Sequence, residues 1–279
     1  MKIILFGASK FVIPLIEMLK NHYSLALVVT TERDPLDTLP AYCQKHAIPY
    51  LSIKTLSEAL ERIEQTQPDL GILAYFGLIL PQKLLQLFPH GILNIHPSLL
   101  PHYRGATPVQ TALLNGDQKT GVSIIKLDEQ MDHGPILAQA HETISSTDTT
   151  ASLHEKLFTK GTEMLQKIIS AYLDNKITAQ KQNDEQATYT KRSFTKQDGY
   201  IDTSNPPDLM QLDRMIRAYY PWPTVWTKLK IKNQESRIKL LPEKRIQVES
   251  RKPMTIKDFI NGYPEVQNEI TKLFDPLDV

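Results

Sequence analysis

Lys2-Ile3-Ile4-Leu5-Phe6-Gly7 opens the chain as a short apolar run stopped by a glycine, the pattern of a buried strand. Ser9 stands where it could cap a helix over Phe11–Lys20, and Val12, Leu15, Ile16 and Leu19 give that helix one apolar face. Leu25–Thr30 is a second buried run. Strand, helix and strand at this spacing predict an α/β fold built on a parallel sheet. Gly7-Ala8-Ser9-Lys10-Phe11 invites a dinucleotide-loop reading, but positions 9 and 12 are Ser and Val where that fingerprint needs glycine. A nicotinamide site is therefore rejected.

The same alternation continues. A helix is expected at Pro40–His46, a short strand at Ile48–Tyr50, an amphipathic helix at Ser57–Gln65 and a buried strand at Leu70–Ala74. Further on, helices are expected at Pro108–Leu114 and Thr150–Leu173, and strands at Gly121–Lys126 and Ile136–Ala140. Asn205-Pro206-Pro207 breaks a polar stretch. A short helix at Asp208–Tyr219 is then followed by candidate strands at Thr224–Ile231, Arg237–Leu241 and Arg245–Glu249, and by a helix at Ile256–Asn261. Residues 1–190 are read as one domain, 191–207 as a linker and 208–279 as a second, smaller domain.

The functional stretch is Gly91-Ile-Leu-Asn-Ile-His-Pro-Ser-Leu-Leu-Pro-His-Tyr-Arg-Gly-Ala-Thr-Pro108. Asn94 and His96 are two residues apart, so on a strand they share a face. Pro97 and Pro101 end the strand and stiffen the loop after it. An amide and an imidazole thus stand at the end of a strand, where open α/β sheets place their ligands. Each residue alone reads as a polar strand end; the pair, followed by Arg104 and Gly105, reads as a site. Asp132 lies 36 residues beyond His96, enough chain for a helix and a strand to return it.

Asn94-Ile95-His96, Ser98-Leu99-Leu100-Pro101, Tyr103-Arg104-Gly105-Ala106 and Pro108, with Asp128-Glu129-Gln130-Met131-Asp132-His133-Gly134-Pro135-Ile136 after them, resemble the signature of the 10-formyltetrahydrofolate-dependent formyltransferases. The resemblance implies a Rossmann-like parallel-sheet domain with Asn94, His96 and Asp132 as the catalytic set. It implies that the folate lies against Ser98, Leu99, Leu100 and Pro101. Tyr75-Phe76-Gly77-Leu78-Ile79-Leu80-Pro81 resembles the loop that wraps the pterin, which makes Leu78, Ile79 and Leu80 expected folate contacts; on its own this loop reads as an ordinary strand-to-helix turn.

In formyl transfer an amine attacks the formyl carbon and negative charge builds on the formyl oxygen. Asn94 and His96 can donate to that oxygen, while Asp132 can take the amine's proton through a water or fix the tautomer of His96. Arg104 and Gly105 are expected to touch the acceptor, with a structural ion pair as the other reading of Arg104. The chemistry needs no metal, and none is expected.

Beyond the catalytic domain, Gln197–Asp202, Ile216-Arg217-Ala218, Pro221-Trp222-Pro223, Lys252-Pro253-Met254 and Gly262-Tyr263-Pro264 resemble the C-terminal half of the methionyl-tRNA members of the family. That half is a small OB-like β-barrel that helps to hold tRNA. The expected acceptor is therefore the amine of methionyl initiator tRNA, in translation initiation. Charge agrees: residues 191–252 hold 14 Lys/Arg against 7 Asp/Glu, although the whole chain has a net charge of only +1. The loop Thr31–Leu39 points the other way. Where the methionyl-tRNA enzymes usually carry a longer basic insertion, it has Arg33 amid Glu32, Asp34 and Asp37. The alternatives are a formyltransferase acting on an amino-sugar nucleotide, and a non-catalytic folate- or RNA-binding protein. A lone cysteine, Cys43, no apolar run near membrane-span length and no signal-peptide pattern lead us to expect a cytoplasmic protein without a membrane partner. A monomer is expected.

Overall fold

The computed structural model describes residues 1–31 and 38–274. Most of the Thr31–Leu39 loop, and the end of the tail Glu265–Val279, lie outside the described residues. Two compact units are present. The first comprises residues 1–108, 119–143 and 154–190; the second comprises 109–118, 144–153 and the chain from Lys191 onward.

The first unit alternates β1 (Lys2–Gly7), α1 (Ile13–His22), β2 (Ser24–Thr31), α2 (Leu39–Lys45), β3 (Tyr50–Ile53), α3 (Ser57–Thr66), β4 (Leu70–Ala74), α4 (Gln82–Leu85) and β5 (Ile92–His96). Further along the chain, α5 (Pro108–Asn115) falls in the second unit from Val109 on, β6 (Lys119–Lys126) and β7 (Ile136–Thr143) in the first, and α6 (Thr150–Leu173) in the first from His154 on. Seven strands form one sheet in the order β3-β2-β1-β4-β5-β6-β7. The first five are parallel, as the alternating pattern requires, whereas β6 runs antiparallel to β5 and β7 antiparallel to β6. The sheet is thus parallel-dominated and mixed, not wholly parallel.

The inner strands are apolar on both faces because both are covered. Ile4, Phe6, Leu27, Val29 and Ile53 pack with Ala59 and Ile63 of α3 and with Leu84 of α4. Phe6 meets Phe76 and Phe88 edge-on, at centroid separations of 5.5 and 5.9 Å. Behind β5, a Cβ on Gly161 of α6 would lie 2.4 Å from Cγ2 of Ile95, so the helix rides close against the strand. With Ile95 turned to α6, the two-residue period turns Asn94 and His96 to the opposite face.

Local chemistry moved two boundaries. Ser9 has φ 83° and makes no side-chain cap bond; a 3₁₀ turn fills Lys10–Val12 and α1 begins at Ile13 with Pro14 in its first turn. Proline has no N–H, so one of the donors that a helix start leaves unpartnered is absent there. The third strand also starts later than expected: Ile48 is held by its N–H donating to Cys43 O, and pairing with β2 begins at Tyr50.

The second unit contains α7 (Leu209–Ala218), β8 (Val225–Ile231), β9 (Gln234–Leu241), β10 (Arg245–Val248), β11 (Met254–Thr255), α8 (Ile256–Gly262) and α9 (Gln267–Thr271). Asp208 caps α7 by accepting from Gln211 N at 2.7 Å. Where sequence led us to expect a small OB-like barrel, the described residues form a four-stranded antiparallel sheet in the order β11-β10-β9-β8. Lys232 and Asn233, both at positive φ, make the tight turn between β8 and β9. Residues 196–201, read as part of a linker, are fastened to β8: Trp226 Nε1 donates to Lys196 O at 2.8 Å, and Ile201 N donates to Trp226 O at 2.9 Å.

Candidate active site

β4 and β5 are parallel neighbours, so the loops leaving them, 75–81 and 97–107, start side by side at the carboxyl edge of the sheet. At that edge the three residues of the expected catalytic set come together. Asn94 Nδ2 donates to Asp132 Oδ1 at 3.1 Å, and His96 Nδ1 stands 3.5 Å from the same oxygen. Gly105 N donates to Asp132 Oδ2 at 2.8 Å. Asn94 and His96 are each 4% exposed, so this carboxylate meets its partners away from bulk water. Asp132 holds φ 51°, a left-handed conformation that Asp tolerates better than most residues but that its surroundings must enforce.

The other ring nitrogen of His96 lies 2.9 Å from Tyr103 O. A carbonyl oxygen only accepts, so Nε2 carries the hydrogen and the tautomer is set by the backbone rather than by Asp132. Nδ1 then faces Asp132 Oδ1 across 3.5 Å. The expectation that His96 donates to a substrate oxygen is not met by this arrangement, because Nε2–H is committed to Tyr103. Asn94 has two amide hydrogens and directs one at Asp132.

The expected folate contacts divide by burial. Leu80 is buried in the core with Phe76 and Leu84, Leu78 packs half-buried against that cluster, and Ile79 is 67% exposed. Ser98 is fully buried and its Oγ donates to His102 O at 2.6 Å, while Leu100 packs with Ile125 and Ile136; Leu99 and Pro101 keep partial exposure.

Ser123 and Gln139 brace this loop. Pairing sets His96 opposite Ser123 and Ser123 opposite Gln139, one row across three strands. Ser123 Oγ donates to Ser98 O at 2.6 Å and accepts from Leu100 N at 3.0 Å and from Gln139 Nε2 at 2.8 Å. Gln139 Nε2 also donates to Leu100 O at 2.8 Å.

Arg104 was expected to reach the acceptor; its guanidinium is instead turned inward and 2% exposed. Nε and Nη2 donate to Gln182 Oε1 at 3.0 and 2.8 Å, Nη2 donates to Asp184 Oδ1 at 2.8 Å, and Nη1 donates to Tyr189 Oη at 3.3 Å. Burial alone would ease its proton off, but hydrogen bonds to Asp184 and Tyr189 outweigh it and hold the guanidinium more firmly charged than usual. Asp184 is correspondingly held below the usual carboxylate range, chiefly by Arg104 and then by His133. His133 Nδ1 lies 2.6 Å from Asp128 Oδ2 and its Nε2 lies 3.4 Å from Asp184 Oδ2. Gly105 has φ 116°, and a Cβ there would fall 2.7 Å from Thr190 Oγ1, so this turn requires glycine.

Sequence reasoning had not singled out Ser123, Gln139, Gln182 or Asp184. The row of Ser123 and Gln139 beside His96 was available only once the pairing register was known. No motif marked Gln182.

A formyl transferase model matches residues 1–169. The chain belongs to the formyl transferase family. The methionyl-tRNA formyltransferase of Chloroflexus aggregans is 39% identical over 81% of this chain and 76% of its own length. Among solved structures, a sugar N-formyltransferase from Shewanella sp. FDAARGOS_354 has a TM-score of 0.67 at 20% identity, covering 87% of this chain and 98% of its own. The methionyl-tRNA formyltransferase from Clostridium thermocellum has a TM-score of 0.61 at 18% identity, covering 92% of this chain and 99% of its own. These two structural likenesses concern the fold.

Proposed function

We propose that this formyl transferase moves the formyl group of 10-formyltetrahydrofolate to the amine of methionyl initiator tRNA. The observation that carries the chemistry is the convergence of Asn94, His96 and Asp132 at the carboxyl edge of β5. The acceptor rests on the 39% identity to an enzyme of that name and on the basic segment 191–252. The folate co-substrate supplies an activated formyl group and a leaving nitrogen.

This chain's residues do the rest. The second amide hydrogen of Asn94 donates to the formyl oxygen as negative charge grows there, a contribution of ~10²–10³ in rate. The amine attacks as the neutral base and sheds one proton after the C–N bond forms. Asp132, with Nδ1 of His96 facing it, takes that proton, directly or through a water, and can return it to the departing nitrogen. Leu78 and Ile79, with Leu99 and Pro101, offer partly exposed apolar surface to a flat heterocycle; Leu80, Ser98 and Leu100 hold those loops from beneath. Gly105 fixes Asp132, and Arg104 acts from behind the site rather than on the acceptor. Residues 1–190 perform the chemistry and the chain after 207 holds the tRNA.

The test is transfer of labelled formyl to charged methionyl initiator tRNA, with an amino-sugar nucleotide in parallel. Formylated methionyl-tRNA, abolished by Asn94→Ala, is the expected result. Transfer only to the sugar amine would overturn the acceptor while leaving the catalytic set. Undiminished folate binding with no transfer to either would point to a non-catalytic binder.

A further inference from the structure

Gln182 is a buried amide, 5% exposed, on the segment that follows α6, and every polar atom of its side chain is engaged. Its Nε2 donates to Asp132 O at 2.9 Å and to Gly134 O at 2.8 Å. Its Oε1 accepts both Nε and Nη2 of Arg104. Gly134 is packed so closely that a Cβ there would lie 1.8 Å from Lys126 O, which fixes the other side of the turn. The same segment continues as a strap along the loop after β5. Thr188 O accepts from Arg104 N at 2.8 Å, Thr190 N donates to Arg104 O at 2.9 Å, and Thr188 Oγ1 accepts from Tyr103 N at 2.8 Å.

We infer that Gln182, oriented by Arg104, is a positioning residue for formyl transfer: it clamps the two carbonyls on either side of His133 and so holds Asp132 in the left-handed conformation that aims its carboxylate at Gly105 N, Asn94 and His96. A carboxylate fixed through its own side chain alone would still be free to swing about its backbone. The clamp removes that freedom without touching substrate. Arg104 decides which way the amide points, because a guanidinium accepts nothing and can face only the oxygen of Gln182. The inference rests on Asp132 acting in the proposed reaction.

Gln182→Glu isolates the clamp. Glutamate keeps an oxygen for Arg104, so the buried guanidinium stays paired. It sets a second oxygen against the carbonyls of Asp132 and Gly134, which repels the turn. In the full chain, with 10-formyltetrahydrofolate and methionyl-tRNA, kcat should fall ~10²-fold, the scale of an ångström's misplacement. KM for the folate should stay within about twofold, since no ground-state contact is lost. Gln182→Met, of similar size, should act in the same direction, and Arg104→Met should cost less in the Gln182→Met background than in the wild type, because one acts through the other. A folded Gln182→Glu with unchanged kcat, or with only KM raised, overturns the inference. Failure of both Gln182 variants to fold assigns the residue to the fold alone and overturns it too. A wild-type chain inert toward methionyl-tRNA is a separate result; it removes the acceptor, and the same comparison is then run on the amino-sugar nucleotide.

Discussion

Ser123→Ala tests the brace beneath the loop that follows β5. The hydroxyl is fully buried and serves three partners, donating to Ser98 O and accepting from Leu100 N and Gln139 Nε2. Gln139 keeps Leu100 O after the change, so two groups are stranded: the Leu100 N–H and the Ser98 carbonyl. A buried polar group left unpaired costs ~1–3 kcal/mol, giving roughly 2–6 kcal/mol in total and about 3 kcal/mol if the loop relaxes by part of an ångström. At roughly 2–4 °C per kcal/mol for domains of 150–250 residues, the melting midpoint should fall by about 6–12 °C. The relaxation displaces Leu99 and Pro101, so KM for 10-formyltetrahydrofolate should rise several-fold with a smaller effect on kcat. Differential scanning calorimetry and initial-rate kinetics on the same preparation read both effects. A melting point within about 2 °C of wild type together with an unchanged KM would refute the brace.

Three further outcomes are expected. Asp132→Asn replaces an acceptor of two donors, facing His96 Nδ1 as well, with an amide that must turn its own NH2 toward either Gly105 N or the Asn94–His96 side; formyl transfer should fall ~10²–10⁴-fold, read as kcat at saturating substrates. Asp198 pairs with Lys191 and accepts from Thr195 N, and these hold its carboxyl at about 2. Its stabilisation is present above the unfolded value of ~3.9 and is lost as pH falls through the folded one, so the difference in urea midpoint between wild type and Asp198→Asn should be full at neutral pH, mostly gone by about 2 and absent below it. If the chain after 207 holds tRNA through phosphates, the logarithm of the binding constant should decline linearly with that of salt, and charge removal at Lys228 or Lys230, both exposed on β8, should reduce the slope by about one each.

Much of this molecule could be read from periodicity. The strands β1, β2 and β4 follow from apolar runs, which burial on both faces favours, and the long helix α6 from an apolar stripe at helical spacing opposite an exposed polar face. The antiparallel turn of β6 could not be read that way: a buried antiparallel strand has the same apolar composition as a parallel one, and only the path of the chain separates them. At the site, the spacing of Asn94 and His96 sufficed to place them on one face. Asp132 needed a motif, since nothing local to residues 128–134 says where they return. The roles of Arg104 and His96 were the least legible. An arginine beside a glycine near a site reads equally as a substrate contact or a buried scaffold, and the choice lies with Gln182 and Asp184, about 80 residues away. Likewise the imidazole tautomer is decided by a backbone carbonyl at Tyr103, which carries no side-chain signature at all.

The strap at 180–190 has a consequence for how this enzyme comes into being. During synthesis the sheet strands, Asn94, His96 and Asp132 all emerge before Gln182. A nascent chain halted at residue 169, where the family match stops, would possess Asn94, His96 and Asp132 and lack the two hydrogen bonds that Gln182 gives to the turn at Asp132. If Gln182 positions Asp132 as inferred, competence waits on this segment, whose amide closes on the turn at Asp132 and Gly134. Shortened forms of the protein should be judged by whether they retain that segment, not by whether they retain the signature residues.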